Sequence, residues 1–183
     1  LGDVYKRQAL LLAGLLNLGR SETAGGRVST WIDLWTSSQT EKPIDRLTDT
    51  ERSMIAIHNG GLLGEGAGQS AMRVEMIHPE SDYAYAFFVE EYGIILAGIL
   101  LMLYLWIFFR AREIFVRCGT AFPGLLVLGL ALMITCQALL HVMVTVNLMP
   151  ETGQTLPLIS RGGSSVLFTV IALGMILSVS RQN

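Results

Sequence analysis

Charge is scarce in this sequence and unevenly spread along it. Only 15% of the 183 residues are Asp, Glu, Lys or Arg, whereas soluble domains carry about a quarter. Residues 83–183 hold nine of the 28 charged residues (13 basic and 15 acidic) and contain charge-free runs of 18, 33 and 19 residues. Each run is long enough to cross a bilayer, which excludes a single soluble globule. A nucleic-acid-binding protein is excluded as well, because a net charge of −2 provides no basic surface.

Cysteine is also rare. Cys118 and Cys136 are the two cysteines of the chain, and they lie in one apolar run. If that run is a helix, the two positions are roughly 27 Å apart along its axis. A disulfide needs Cα atoms within about 7 Å, so this pair cannot form one within the chain. We find no metal-ligand spacing in the sequence and interpret both cysteines as apolar filling.

The chain begins at Leu1 rather than at methionine, and its first residues change abruptly from polar to apolar. We interpret residues 1–8 as a non-native leader, with a native loop as the alternative. Residues 9–18 are apolar but too few to span a bilayer. We interpret them as the end of a truncated transmembrane helix, with a small buried helix as the alternative.

Three transmembrane helices are predicted from the charge-free runs, at residues 82–109, 120–146 and 164–180. The predicted fold is therefore an all-α polytopic membrane protein.

Arginines predict which side of the membrane each connection faces. The connection 110–119 contains three arginines and the tail 181–183 contains one more, so the positive-inside rule makes both cytoplasmic. The long polar segment 19–81 and the short segment 147–163 then form extracytoplasmic loops. Because ATP is absent there, any reaction carried by these loops must draw its energy from the substrate.

Acidic residues cluster around the start of the first predicted helix. Asp82 falls in its first turn, where the helix dipole favours an ionised carboxylate. It is either a capping residue or an acid that accepts a proton from a bound hydroxyl. Glu90 and Glu91 lie two turns further on, and structural and functional roles are equally open for them. Glu75 lies upstream in a polar run, as is typical of a surface acid.

Two further polar features lie outside this acidic group. Residues 60–70 (GGLLGEGAGQS) lack the lysine of a phosphate-binding loop, which favours a tight, permissive backbone over contact with a ligand. Gln137, His141 and Thr145 recur at four-residue intervals and form one stripe on the second predicted helix. Such a stripe is typical of hydrogen bonding to neighbouring segments.

The segment 148–165 (LMPETGQTLPLISRGGSS) is the most distinctive of the chain. Its two prolines exclude regular helix, and its paired glycines permit a sharp return into the last helix. Arg161 is either an interfacial lipid contact or a clamp for a diphosphate, whose paired oxygens suit a guanidinium.

Together, the glycine segment, the stretch 78–93 (HPESDYAYAFFVEEYG) and the segment 148–165 resemble the SEDS family of shape, elongation, division and sporulation proteins, which includes FtsW, RodA and SpoVE. Their order and spacing agree across nearly all of residues 9–183. The resemblance implies the C-terminal half of a multi-span helical bundle with a large extracytoplasmic loop. The ending GQTLPLISRGGSS favours the FtsW cell-division branch over the RodA elongation branch.

The resemblance also implies roles for individual residues. Asp82 matches the family's essential acid, in a TDF motif written here as Ser81-Asp82-Tyr83, and is the candidate catalytic base. His141 stands where many members carry Asn, and Arg161 stands where many carry Tyr, so the diphosphate clamp is not a family rule. The candidate substrate-binding residues are Glu75, Arg161, Gln137, Glu90 and Ser164.

Members of the family are peptidoglycan glycosyltransferases that polymerise glycan strands from lipid II, an undecaprenyl-diphosphate-linked disaccharide peptide. The resemblance therefore implies a multi-pass enzyme of the bacterial inner membrane at the division septum, of which this chain alone is expected to be inactive. Its implied partners are lipid II, a class B penicillin-binding transpeptidase, other division proteins and membrane lipids. No cofactor is assigned, and a divalent cation stays open.

Three other functions remain open at this point. The first is a lipid II flippase, and the second is a non-catalytic division scaffold that docks a penicillin-binding protein. The third is a RodA-like role in cell shape and elongation.

Overall fold

The computed structural model describes residues 26–29, 31–32, 47–70 and 82–182. The chain divides into two units, Leu1–Glu41 and Lys42–Asn183. In the first unit the described residues are helical, and the Ser29 hydroxyl donates a hydrogen bond to the Gly26 carbonyl at 2.9 Å. The predicted leader and truncated helix (residues 1–18) and Glu75 lie outside the described residues.

Helix α1 comprises Asp49–Gly60 and begins at a capping box. The Thr48 hydroxyl accepts a hydrogen bond from the Glu51 amide at 3.4 Å, and the Glu51 carboxylate accepts one from the Thr48 amide at 2.8 Å. This exchange satisfies amides that the start of a helix leaves unpaired. A stable helix therefore lies within the segment predicted as the loop 19–81.

Three longer helices follow: α2 (Ala84–Arg117), α3 (Ala121–Thr145) and α4 (Gly163–Gln182). Within the described part of the chain, these three are long and apolar enough to cross a membrane. The predicted all-α membrane fold is confirmed for these residues. Helix α2 continues past residue 109, where the predicted span ended, because the arginine-rich sequence that follows has good helix propensity of its own.

Helices α2 and α3 pack on each other, and alanines are prominent among their buried residues. Ala97, Tyr104 and Ala111 recur at seven-residue intervals on α2, and Ala131 and Ala138 do so on α3; all five are buried. A seven-residue repeat keeps one face of a helix against its partner. Small residues on that face let the backbones approach closely, which drives helix association where lipid removes the hydrophobic effect.

Candidate functional site

A break in α2 determines the architecture around the site. Gly93 has φ 82° and ψ 166°, a conformation that is essentially restricted to glycine. The break deprives the carbonyls of Glu90 and Glu91 of the amides four residues ahead that would pair with them in a continuous helix. These carbonyls accept hydrogen bonds from the amides of Glu65 and Gly66 instead, at 2.9 and 3.1 Å.

The glycine segment 60–70 thus replaces the hydrogen bonds that α2 loses. The Ile94 amide, which a continuous helix would pair with the carbonyl of Glu90, donates to the Gly61 carbonyl at 3.1 Å. The segment therefore binds α2 through backbone groups on both sides of Gly93. This arrangement is the tight, permissive backbone that the glycines predict.

Glu90 is buried beneath this segment. Its side chain is 0% exposed, and its Oε2 accepts a hydrogen bond from the Ser70 hydroxyl. Its Oε1 has no hydrogen-bond partner among the residues that the structure describes. Glu90 therefore fastens the glycine segment to α2, and its role in substrate binding stays a prediction.

Asp82 lies just before α2, is half-buried, and acts electrostatically on the His141 imidazole of α3. His141 is 1% exposed, its Nε2 accepts from the Tyr85 amide at 3.4 Å, and its Nδ1 lies 2.6 Å from the Gln154 carbonyl. Because an amide nitrogen only donates and a carbonyl only accepts, the imidazole is neutral with its proton on Nδ1. The ring thereby joins the first turn of α2 to the loop 147–162.

The polar stripe on α3 holds that loop through a second hydrogen bond. Gln137, one turn before His141, donates from Nε2 to the Thr155 carbonyl at 3.0 Å. Two positions further along the loop, the carbonyl of the buried Pro157 accepts a hydrogen bond from the Tyr104 hydroxyl of α2 at 2.5 Å. The buried part of the loop around Leu156 and Pro157 therefore lies against the helices, where its irregular backbone is paired with protein groups.

Two hydroxyl groups from two different segments meet at the Glu151 carboxylate. The Tyr83 hydroxyl donates to Glu151 Oε1 at 2.5 Å, and the Thr50 hydroxyl of α1 donates to the same oxygen at 2.7 Å. Burial raises the pKa of the Tyr83 phenol well above its usual value, and the hydrogen bond to Glu151 raises it further. Tyr83 therefore keeps its proton and remains a donor across the physiological range.

A cavity of about 380 Å³ opens beside the first turns of α2. Its charged groups are Glu91 and Arg161, and aromatic rings form much of the remaining wall. The lining residues are Ala84, Phe87, Phe88, Glu91, Tyr92, Ile159 and Arg161. Those on α2 follow one another at alternating intervals of three residues and one residue, and therefore share one helix face. An apolar wall with a guanidinium suits an anionic group attached to an apolar body.

The predicted site residues are only partly brought together. Arg161 lines the cavity, and Asp82 precedes the cavity residue Ala84 by two positions. Gln137 holds the loop, and Ser164 is exposed at the start of α4. Within the described ranges, no group of three His, Cys, Asp or Glu side chains could hold a metal ion.

The cluster around Glu151 was missed by sequence reasoning. A signal was present, because Glu151 is the single charged residue between Arg117 and Arg161. A single acid in a long apolar run is costly, so it is expected to pair with other polar groups or to serve a function. Its partners could not be predicted, since Thr50 and Tyr83 are distant in sequence.

Comparison with known proteins agrees with the family resemblance seen in the sequence motifs. The model of the FtsW/RodA/SpoVE family, described as cell cycle protein, matches residues 13–183. The chain is 33% identical over 161 residues to the "Probable peptidoglycan glycosyltransferase FtsW" of Thioalkalivibrio sp. (strain K90mix), covering 85% of this chain and 39% of that protein. It is 31% identical over 158 residues to "Stage V sporulation protein E" of Bacillus subtilis (strain 168), covering 86% and 42%. The chain thus spans about two fifths of the length of these relatives.

A solved structure shares the fold. It aligns with a TM-score of 0.62 and 24% sequence identity, covering 100% of this chain and 48% of the other. That structure is described as "Structural coordination of polymerization and crosslinking by a peptidoglycan synthase complex".

Proposed function

Because the chain belongs to the FtsW/RodA/SpoVE family of cell cycle proteins, we propose that the full-length protein is a peptidoglycan glycosyltransferase that polymerises glycan strands from lipid II. Relatives named as peptidoglycan glycosyltransferases support the reaction class. The observation that carries the proposal within this chain is Asp82. It is a half-buried carboxylate at the start of α2, in a turn that Tyr83 and Tyr85 tie to other segments.

Glycan polymerisation requires one general base, placed next to the acceptor hydroxyl. In the proposed step, the hydroxyl oxygen of the acceptor sugar bonds to the anomeric carbon of the donor. The bond from that carbon to the diphosphate oxygen breaks, and its electron pair leaves with the lipid diphosphate. The Asp82 carboxylate takes the hydroxyl proton as general base. No nucleotide is needed, because the donor carries its own leaving group.

Arg161 is the proposed electrostatic partner of this step. Its guanidinium lines the cavity beside α2, and a fixed cation near the departing diphosphate would stabilise the charge that develops there. The aromatic wall offers apolar surface to the rest of a lipid-linked substrate. Glu75, Gln137 and Ser164 remain the other proposed substrate contacts. Glu90 remains one as well, and its contact with a substrate requires that the glycine segment 60–70, which covers it in this structure, move aside.

Family membership also supports the setting of the reaction. We propose the bacterial inner membrane at the division septum as the location, and a class B penicillin-binding transpeptidase as the partner. The solved structural neighbour, described as a peptidoglycan synthase complex, supports an assembly of this kind. Co-purification of the full-length protein with the transpeptidase tests the partner, and imaging of a fluorescent fusion tests the septal location.

The experiment that tests the activity compares three proteins. The full-length protein, its Asp82→Asn variant and its Glu113→Gln variant are reconstituted with the transpeptidase and labelled lipid II, and glycan polymer is measured. Asp82→Asn should lower the rate by about 10²–10⁴-fold, the usual contribution of a general base. Glu113→Gln makes the same carboxylate-to-amide change at the far end of α2, where Glu113 is exposed and pairs with Arg110. It should leave the rate unchanged.

The other outcomes have distinct meanings. Equal polymer from the unmodified protein and Asp82→Asn would remove Asp82 as the base. Absence of polymer from every variant, together with transport of labelled lipid II across vesicle membranes, would indicate a flippase. Absence of both, with the transpeptidase still bound, would indicate a scaffold.

A further inference from the structure

Tyr83 is the sequence neighbour of the proposed base, and its side chain is held by a part of the chain far from it in sequence. Its hydroxyl donates to Glu151 Oε1 at 2.5 Å, across 68 positions of sequence. Tyr83 itself is 5% exposed. A buried phenol bound to a carboxylate makes a charge-assisted hydrogen bond, which is shorter and stronger than one between neutral groups.

The contacts at Glu151 indicate how the hydroxyl protons of Thr50 and Tyr83 are directed. Thr50 Oγ1 lies 2.7 Å from the same carboxylate oxygen and 3.1 Å from the Tyr83 hydroxyl. Each hydroxyl has one proton, and an ionised carboxylate can only accept. Both protons therefore point to Glu151, and Thr50 lies beside the phenol as a second donor. Glu151 thereby joins α1, the start of α2 and the loop 147–162.

The backbone transmits this restraint to Asp82. Tyr83 is the residue that caps α2, and its carbonyl accepts hydrogen bonds from the amides of Ala86 at 2.9 Å and Phe87 at 3.4 Å. With its side chain and its carbonyl both held, Tyr83 has little freedom to rotate. The peptide that joins it to Asp82 is planar and rigid, so the Cα atom of Asp82, from which the carboxylate side chain extends, is held in place as well.

We propose that Glu151, acting through Tyr83, is a positioning residue that directs the Asp82 carboxylate toward the acceptor hydroxyl. The inference rests on the proposed function, because it takes Asp82 as the base of glycosyl transfer. It goes beyond that function because the loop 147–162, which carries Arg161, is also inferred to position the base. The segment that brings Arg161 to the cavity also sets the orientation of the base, so both charged groups are placed by one element.

The test uses two substitutions that remove the hydrogen bond and one that retains it. In the full-length protein, Tyr83→Phe removes only the hydroxyl, and Glu151→Leu removes the acceptor. Both should lower kcat at least about tenfold with little change in KM, because misdirected catalytic groups lose rate rather than substrate binding. Glu151→Gln keeps an oxygen that accepts both hydroxyl protons, and its kcat should stay within about twofold of the unmodified protein's.

Tyr104→Phe is the matched control. Tyr104 is also a buried tyrosine of α2, and its hydroxyl also donates to the loop 147–162, at the Pro157 carbonyl. It lies far along the helix from Asp82. Its loss should lower thermal stability to a similar degree as Tyr83→Phe and leave kcat unchanged.

The outcomes separate this inference from the proposed function. Polymer from the unmodified protein and none from Asp82→Asn, with equal kcat for Tyr83→Phe and Tyr104→Phe, would overturn the positioning role alone. A rise in KM at constant kcat for Glu151→Leu would also overturn it, since Glu151 would then act in binding. Absence of polymer from the unmodified protein would overturn the proposed function and remove the base that Glu151 is inferred to direct.

Discussion

Gly93 in the break of α2 lies so close to Gly64 that a Cβ atom on Gly93 would stand 2.7 Å from the Gly64 nitrogen. Real Cβ atoms do not approach other heavy atoms so closely, so the two backbones can meet only as glycines. Gly93 also has a φ of 82°, which L side chains rarely adopt. The contact allows the glycine segment 60–70 to pair with the carbonyls of Glu90 and Glu91 in α2.

Substituting Gly93 should therefore be costly. Gly93→Ala should lower the free energy of unfolding by about 2–6 kcal/mol, the sum of a strained backbone and an overpacked contact. Gly98→Ala is the control on the same helix, because a Cβ atom there meets nothing within 4 Å. It should be neutral or slightly stabilising, as alanine favours helix over glycine. Thermal unfolding in detergent measures both, and equal stability of the two variants would contradict the structure.

The hydrogen bond between Ser70 and the buried Glu90 yields a second prediction. Ser70→Ala should destabilise the protein by about 1–3 kcal/mol, since it removes a donor from a buried carboxylate. Glu90→Gln should retain stability, because the amide has nearly the same volume and keeps an oxygen that accepts from Ser70. Ser178→Ala, on the exposed surface of α4, serves as the control. Were Glu90→Gln as damaging as Ser70→Ala, the hydrogen bond from Ser70 would not be the interaction through which Glu90 stabilises the protein.

His141 provides a third prediction, based on its two backbone partners. His141→Leu removes the partner of the buried Tyr85 amide and of the part-buried Gln154 carbonyl, which should cost about 1–3 kcal/mol for the amide and less for the carbonyl. His141→Asn retains a donor for the Gln154 carbonyl and should lose less. The order of melting temperatures, with the unmodified protein highest and His141→Leu lowest, is the measurement. A reversed order of the two variants would show that packing volume, rather than hydrogen bonding, determines stability at this position.

The sequence predicted some of the site's contacts in kind but not in detail. Gln137, His141 and Thr145 were expected to bind neighbouring segments. The first two do so at the loop 147–162, whereas the Thr145 hydroxyl donates to the His141 carbonyl of its own helix. For the adjacent acids Glu90 and Glu91, the sequence left both roles open. In the structure Glu90 is sealed under the glycine segment, whereas Glu91 lines the cavity. Neighbouring residues on a helix point in different directions, and only the packing partners decide which direction is buried.

What the sequence determined by itself is the set of apolar runs, and with them the all-α membrane fold. The length of a charge-free run is a local property, and a bilayer imposes the same requirement on every such run. The tertiary structure alone decided the break at Gly93, the pairing of that break with the glycine segment, and the joining of Thr50, Tyr83 and Glu151. Each of these depends on contacts between residues far apart in the chain, and no local pattern of residues specifies which distant groups will meet.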